Sequence, residues 1–220
     1  MEEFQSRIIH TQLNHHVSLD EIDAFSSAGI SAGFPMIRVL PLYVPRIRAI
    51  LKDCPVKVST VIGYPYGHTA IEAKVAELVL AIVDGIDEAC VVVNPVALMN
   101  NDWQFLANEL NTILQMVRSR QKMVNCLIDT TSLTTDDILK CCDLYGIAGV
   151  DAFTISYQQK DGEHILPMIK TMRDALADPI PLHVIGDIKN FTFATKMWEA
   201  GIEKISCNGA DLLNSCILQN

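Results

Sequence analysis

A short apolar segment ends in a turn rich in glycine, proline and tyrosine at Val56-Lys57-Val58-Ser59-Thr60-Val61-Ile62-Gly63-Tyr64-Pro65-Tyr66-Gly67. The first half of this stretch is dense in β-branched residues, which are typical of strands. The segment after the turn carries acidic residues and has helical spacing. The stretch therefore predicts a strand that passes through a tight turn into a helix.

Similar apolar runs recur along the whole chain and predict eight strands. They cover Arg7 to Leu13, Phe34 to Leu40, Lys57 to Gly63, Glu88 to Asn94, Met123 to Asp129, Val150 to Ser156, Pro181 to Gly186 and Lys204 to Cys207. Helical segments separate them, with start signals at Ser18, Asp102 and Thr134 or Thr135. Strand then helix, repeated eight times without a linker, predicts an α/β fold with a single (β/α)8 TIM barrel over residues 1–220.

A doubly wound open sheet is the alternative architecture. Such a sheet usually carries a Gly-rich phosphate turn after its first strand, and none follows Leu13 or Leu40. Runs such as Val91-Val92-Val93 are apolar on both faces, as expected when helices cover one side of a parallel sheet and side chains fill the other. The last predicted helix, Ala210 to Leu218, is short, which leaves open whether a partner subunit completes the barrel.

Composition narrows the class of protein. Half of the 220 residues are apolar, yet no apolar run approaches the ~20 residues of a membrane span, and Met1 to His16 lacks the pattern of an export signal. We therefore expect a soluble, cytoplasmic protein without a membrane partner.

The seven cysteines show no paired spacing, which indicates reduced thiols. A net charge of −9 argues against nucleic acid as a partner.

A metal site is a weak hypothesis for this sequence. His10, His15 and His16 are spaced across a predicted strand and loop without a converging further ligand. We expect no metal and no cofactor.

The order and spacing of several short motifs resemble the deoxyribose-phosphate aldolases over nearly the whole chain. These motifs are Ile9-His10-Thr11, Val39 to Val44, Thr60 to Gly67, Gly85 to Glu88 with Asn94, Gly149 to Asp151 and Glu199 to Gly201. The resemblance implies a class I aldolase barrel whose ligand is a small sugar-phosphate or carbonyl metabolite. It also leaves a homodimer open as the assembly.

The chain departs from this family at its catalytic positions. The resemblance places Cys90 at the family's catalytic Asp, Thr154 at its Schiff-base Lys and His183 at its proton-relay Lys. Only a lysine amine forms the iminium of a class I aldolase, and a Thr hydroxyl has no comparable nucleophilicity. We expect Cys90, Thr154 and His183 to converge in the barrel interior near the C-terminal ends of the strands.

The resemblance also implies a ligand site at the C-terminal ends of the strands. Its candidate residues are Asn94, Asp129, Ser156, Gly186, Lys189, Asn208 and Gly209. Asp187 stands where the family has a second glycine, so its carboxylate is expected to weaken phosphate binding. Lys189 is suited to binding an anion, whereas Lys57 and Lys204 begin their strands and belong to the opposite, stability face.

Three functional hypotheses follow. The leading one is an aldolase-like barrel that has lost the Schiff-base mechanism and is either inactive or binds a small polar metabolite. The second is an enzyme that acts on a carbonyl or sugar substrate, with His183 as general acid or base and Cys90 as its partner nucleophile. The third is a structural subunit paired with an active paralogue.

Overall fold

The computed structural model describes residues 2–52, 54–130, 133–176 and 180–217. The strands are β1 (Ile8–Gln12), β2 (Met36–Val39), β3 (Lys57–Ile62), β4 (Glu88–Val92), β5 (Met123–Ile128), β6 (Ala152–Tyr157), β7 (Leu182–Gly186) and β8 (Lys204–Cys207). The helices are α1 (Glu2–Ser6), α2 (Leu19–Ser31), α3 (Val44–Leu51), α4 (Ile71–Val83), α5 (Pro95–Met99), α6 (Trp103–Ser119), α7 (Thr135–Ala148), α8 (Ile165–Ala175), α9 (Phe191–Ala200) and α10 (Gly209–Ile217). Short 3-10 turns occupy Pro41–Tyr43 and Gln159–His164.

The eight strands form one closed parallel barrel in chain order. β8 pairs with β1 through Ile8 with Ile205, Ile9 with Ser206 and His10 with Cys207. This pairing closes the barrel within one chain, so no strand from a partner subunit is needed. The eight predicted strands and the TIM barrel are confirmed, and the open-sheet alternative is excluded.

Helix starts follow from local side-chain capping. Ser18 accepts the Glu21 amide while Glu21 reaches back to the Ser18 amide, which is a capping box at the start of α2. Thr134 and Asp137 form the same arrangement at α7, and Asp102 caps α6. The three predicted start signals are therefore confirmed, with Thr134 rather than Thr135 as the cap of α7.

The turn after β3 has a geometric need for glycine. Gly63 and Gly67 both adopt positive φ, at 71° and 67°, a region that other residues rarely occupy. A Cβ on Gly67 would lie 2.5 Å from the Val93 carbonyl oxygen. The Gly67 amide donates to the Gly63 carbonyl at 2.8 Å, which closes the turn that leads to α4. Within the described residues, no helix is long and apolar enough to cross a membrane.

The core has two parts. The larger part fills the space between the outside of the barrel and the helices. The smaller part lies within the barrel and is named here the inner plug; it comprises Val61, Cys90, Val92 and Leu127, against which Leu13, Leu40 and Ile185 pack. Close packing of this kind makes the barrel interior a filled core rather than a pore.

Candidate functional site

A cavity of 790 Å³ opens at the C-terminal ends of the strands and is named here the mouth. Its polar lining residues are Thr11, Gln12, Asn14, Asp129, Ser156, Gln158, Asp187, Lys189, Ser206, Asn208 and Asp211. Tyr64, Tyr66 and Tyr157 contribute rings, and Val92 and Leu127 of the inner plug, with the adjacent Ile185, contribute apolar surface. The volume lies within the ~300–1,000 Å³ range of small-molecule sites.

Five of the seven predicted ligand residues line the mouth: Asp129, Ser156, Gly186, Lys189 and Asn208. Positions in the last residues of the strands and in the loops that follow bring them together, as in other barrels of this type. Gly186 also has a packing reason to lack a side chain, because a Cβ there would lie 2.4 Å from the Tyr157 carbonyl oxygen. These five residues are available to a ligand that enters the mouth.

Asn94 and Gly209 are placed outside the lining of the mouth. The Asn94 Oδ1 atom accepts the amides of Val96 and Ala97 at 3.0 and 3.1 Å, so this side chain caps α5. The Gly209 amide donates to His10 Nδ1 at 3.1 Å. Both predicted binding groups are therefore engaged within the protein.

A hydrogen-bonded unit joins the ends of β5 and β6 at the mouth. The Ser156 hydroxyl donates to Asp129 Oδ1 at 3.0 Å, and Ser156 Oγ accepts the Thr130 amide at 3.3 Å. These contacts hold a carboxylate and a hydroxyl side by side on one wall. Such a wall can accept hydrogen bonds from ligand hydroxyls.

The positive charge of Lys189 in the mouth is partly neutralised by Asp187. Lys189 Nζ lies 3.0 Å from Asp187 Oδ2, and both side chains are more than half exposed. The side-chain hydrogen bond to Asp187 raises the pKa of Lys189, and the charge of Asp211 acts in the same direction. Lys189 is therefore a protonated, paired ammonium group at neutral pH.

Cys90, Thr154 and His183 all face the barrel interior and are buried, as expected. The Thr154 hydroxyl donates to Asn125 Oδ1 at 2.8 Å, and Asn125 Nδ2 lies 3.3 Å from His183 Nδ1. Cys90 belongs instead to the inner plug. The interior thus joins Thr154 to His183 through Asn125, a residue that the sequence motifs did not single out.

The expectation that these three residues lie near the C-terminal ends of the strands is wrong. Cys90 and Thr154 occupy the middle of β4 and β6, and His183 is the second residue of β7. None of the three lines the mouth, whose floor is formed one step higher by Val92 and Ile185 among others. Strand stagger around the barrel places the motif positions deeper than their sequence order suggests.

The chemistry of Cys90 and His183 does not favour a nucleophilic pair. Burial raises the pKa of the Cys90 thiol to about 11. Burial lowers the pKa of His183 to about 3, against the smaller opposing effect of Glu88. At neutral pH the two groups are therefore a thiol and a neutral imidazole, whereas a Cys-His nucleophile depends on thiolate character.

A charged network in the barrel interior was not predicted from the sequence. Arg38 donates to Glu88 Oε1 at 2.7 Å and to the hydroxyls of Ser59 and Ser206, each at 3.0 Å. Burial is the largest effect and opposes ionisation of Glu88, but Arg38, His183 and the Ser59 hydroxyl together outweigh it and hold the Glu88 pKa below its ordinary value. The signal was present, because a charged residue in the middle of the apolar segment Met36–Val39 needs a buried partner.

Lys74 was also missed as a buried cation. Its ammonium group donates to the Val92 carbonyl at 2.7 Å and lies 2.8 Å from Glu109 Oε1. Burial lowers the pKa of Lys74 and raises that of Glu109, so both shifts favour the neutral forms. Because Lys74 lies on α4, outside the barrel wall, its amine braces β4 rather than facing the interior.

The histidines near β1 do not converge. His10 stacks on Phe25 at a ring-centroid distance of 3.7 Å, while His15 and His16 contact each other. Among the residues that the structure describes, no group of three or more His, Cys, Asp or Glu side chains is placed to hold a metal ion.

Comparisons with known proteins are consistent in pointing to one family. The chain is 30% identical over 199 residues to the deoxyribose-phosphate aldolase of Caldicellulosiruptor saccharolyticus, covering 90% of each chain. It is also 30% identical over 200 residues to the deoxyribose-phosphate aldolase of Thermococcus kodakarensis, covering 90% of this chain and 89% of the relative. No protein-family model matches the chain.

Solved structures give the same fold. The aldolase QR15 superposes with a TM-score of 0.88 at 24% identity, covering 100% of this chain and 97% of the other. The deoxyribose phosphate aldolase of Aeropyrum pernix, described as a unique tetrameric structure, superposes with a TM-score of 0.87 at 21% identity, covering 100% and 94%.

Proposed function

Since the chain belongs to the deoxyribose-phosphate aldolase family, we propose that it binds a small sugar or carbonyl metabolite in the mouth without forming a Schiff base. The proposal separates two properties of the family. The barrel and its C-terminal cavity are retained for binding. The amine chemistry of a class I aldolase is lost, because the position of its attacking lysine holds Thr154.

One observation carries the proposal. Lys189 is the one lysine among the described residues that line the mouth. The hydrogen bond from its side chain to Asp187 raises its pKa. A Schiff-base lysine requires the opposite shift, since only the unprotonated amine attacks a carbonyl. Lys74 does have a lowered pKa, but its amine is buried against Val92 and Glu109 outside the barrel.

The lining of the mouth favours a neutral polyol or carbonyl compound over a phosphorylated one. Asp129, Asp187 and Asp211 supply carboxylates, and Lys189 is paired with one of them. Hydroxyl groups of a sugar can donate to these oxygens, whereas a phosphate dianion would be repelled by them. The amide of Gly209, at the start of α10, is occupied by His10 and is not free for a phosphate.

A homodimer is proposed as the assembly. The relative from Aeropyrum pernix is a tetramer. In the present chain Leu80 and Val83 on α4 are 65% and 78% exposed, which leaves apolar surface for a partner copy. Sedimentation velocity across a concentration series should show a species of twice the monomer mass, and a monomer throughout would remove this part of the proposal.

Borohydride trapping tests the absence of Schiff-base chemistry. The protein is incubated with deoxyribose-5-phosphate or acetaldehyde, reduced, and weighed intact by mass spectrometry. We expect an unchanged mass, while an active family aldolase treated in parallel gains the reduced adduct. A stable adduct on the wild type, mapped to Lys189 or Lys160, would overturn the proposal; Lys189→Arg then identifies whether the mouth lysine is responsible.

Ligand-observed NMR tests the binding half. Saturation-transfer signals are recorded for 2-deoxyribose, glyceraldehyde and deoxyribose-5-phosphate with the wild type and with Ser156→Trp, which places a large ring in the mouth. We expect a signal for the neutral compounds that Ser156→Trp abolishes. No signal for any compound, or signals that persist in the variant, would contradict binding at this site.

A further inference from the structure

A second cavity, of 480 Å³, lies at the opposite end of the barrel, where the strands begin. It is named here the lower cavity. Its apolar lining residues are Ile30, Phe34, Pro35, Met36, Pro55, Val56, Met123 and Ala152. Its polar and charged lining residues are Cys54, Lys57, Glu88, Asp151, His183 and Lys204. Side chains of this mixture and volume are typical of small-molecule sites, although barrel active sites lie at the other end.

His183 forms part of the wall and has an unused nitrogen. The residue is 4% exposed, and its Nε2 atom has no hydrogen-bond partner in the described part of the protein. An unpaired buried polar atom is destabilising, so such atoms normally have a hydrogen-bond partner. Nε2 is covered by its neighbours, but the His183 ring lines the lower cavity, so a turn of the side chain would present this nitrogen to a molecule seated there.

The hydrogen-bond chain fixes which role that nitrogen takes. The Thr154 hydroxyl donates to Asn125 Oδ1, so the Asn125 Nδ2 group faces His183 Nδ1 as a donor. His183 Nδ1 must then accept, and the proton of the neutral ring lies on Nε2. The free nitrogen is therefore a donor, and its partner must be an acceptor such as a carboxylate or carbonyl oxygen.

The charges around the lower cavity favour an anion. Lys57 and Lys204 stand at its rim, and neither forms an ion pair with another described residue. The two carboxylates are already engaged: Glu88 is paired with Arg38 at 2.7 Å, and Asp151 accepts the Val124 amide at 2.7 Å.

From these features we propose that the lower cavity binds a small monocarboxylate with an apolar body. The carboxylate accepts from His183 Nε2 and is attracted by Lys57 and Lys204, while the body packs on Phe34, Met36 and their neighbours. The site is separate from the mouth, because no residue lines both cavities. It does not depend on the function proposed for the mouth.

Cys54 provides a built-in reporter for the test. It lines the lower cavity and is partly exposed, while the other six cysteines are buried. Iodoacetamide should therefore modify Cys54 first in the folded protein, and an occupant should slow that reaction. The probes are benzoate and hexanoate, each compared with its neutral amide, and binding is measured by calorimetry in parallel.

We expect saturable benzoate or hexanoate binding, at least threefold slower alkylation of Cys54, and at least fivefold weaker binding of the amides. His183→Phe removes the donor and should weaken carboxylate binding at least tenfold. The double variant Lys57→Glu with Lys204→Glu reverses the charge at the rim and should also weaken carboxylate binding at least tenfold. This second variant tests the proposal even if His183→Phe does not fold. Lys170→Glu, an exposed change elsewhere, and Ser156→Trp in the mouth should leave binding unchanged.

Three outcomes would overturn the proposal. The first is no saturable binding of either carboxylate to the wild type, which would leave water as the occupant. The second is binding that survives both the His183 and the rim variants. The third is equal binding of the acids and their amides, which would show that the cavity does not select an anionic ligand. Loss of sugar binding at the mouth would bear only on the function proposed there.

Discussion

His10 Nδ1 accepts the backbone amide of Gly209 at 3.1 Å, across the closure between β1 and the start of α10. The other ring nitrogen, Nε2, lies 3.1 Å from the Phe25 carbonyl oxygen. One acceptor and one donor on the same ring are satisfied only by the neutral Nε2-protonated tautomer. Burial lowers the pKa of His10 to about 4, which agrees with this geometry.

This relationship predicts a pH dependence of stability. As the pH falls from 7.5 to 5, the unfolded chain binds a proton on His10 below its ordinary pKa of 6.5, while the folded protein does not until about pH 4. Stability should therefore fall, by about 2 kcal/mol from His10 alone. The measurement is the urea unfolding free energy at each pH. His10→Gln should be less stable than the wild type at pH 7.5 but should lose less stability between pH 7.5 and 5. Replacement of an exposed histidine, His68→Gln, should leave the wild-type loss over this pH range unchanged. Equal losses in the wild type and both variants would contradict the assignment.

Asp187 is predicted to limit phosphate binding at the mouth. Its carboxylate pairs with Lys189 at 3.0 Å and adds negative charge to the lining. Calorimetry with deoxyribose-5-phosphate should detect weak or no binding to the wild type. Asp187→Asn should gain affinity by freeing Lys189, and Asp187→Gly should gain more because the side chain is also removed. Tight binding by the wild type, or no gain in either variant, would count against the electrostatic argument.

Replacement of one partner of the buried Arg38–Glu88 ion pair is predicted to lower the free energy of unfolding strongly. Glu88→Gln leaves a guanidinium group without its counter-charge in a fully buried site. The expected loss is about 3–5 kcal/mol in denaturant unfolding. Arg38→Met with Glu88→Gln should lose less than the two single changes added together. Asp136→Asn, which breaks the exposed Lys140 pair, should lose far less stability, and an equally small loss for Glu88→Gln would refute the prediction.

Restoring a lysine at position 154 is predicted to be insufficient for aldolase activity. Thr154→Lys alone would place an amine without the second lysine and the carboxylate that the family resemblance implies for proton transfer. Addition of His183→Lys and Cys90→Asp should be required for measurable cleavage of deoxyribose-5-phosphate in an assay of acetaldehyde release. Thr154→Gln in the same background is the matched control, since it has similar length but no amine. Activity in the single variant, or none in the triple variant, would show that other features decide the reaction.

Local signals in the sequence were enough for most of the fold. Apolar runs located all eight strands, and Ser18, Asp102 and Thr134 each cap the helix that they were expected to begin. These features depend on neighbours a few residues away, which a single sequence displays directly.

The candidate site was harder to predict because it depends on distant neighbours. The depth of Thr154 follows from its pairing with Leu127 on one side and His183 on the other, which the strand stagger sets. The partner of the Gly209 amide lies at the other end of the chain. Asn94 was predicted as a ligand residue, yet Asn before proline is also a helix-start signal, and capping is the role that the structure gives it.

The distribution of thiols provides a single defined site for covalent attachment of the protein to a surface. Cys54 is the partly exposed cysteine and stands at the end of the barrel where the strands begin, whereas the mouth is at the other end. Coupling through this thiol to a maleimide surface would orient every molecule alike, with its mouth toward the flowing solution. Sensor measurements of mouth ligands could then be made on a uniform layer without engineered tags, and the lower cavity would be covered in the same step.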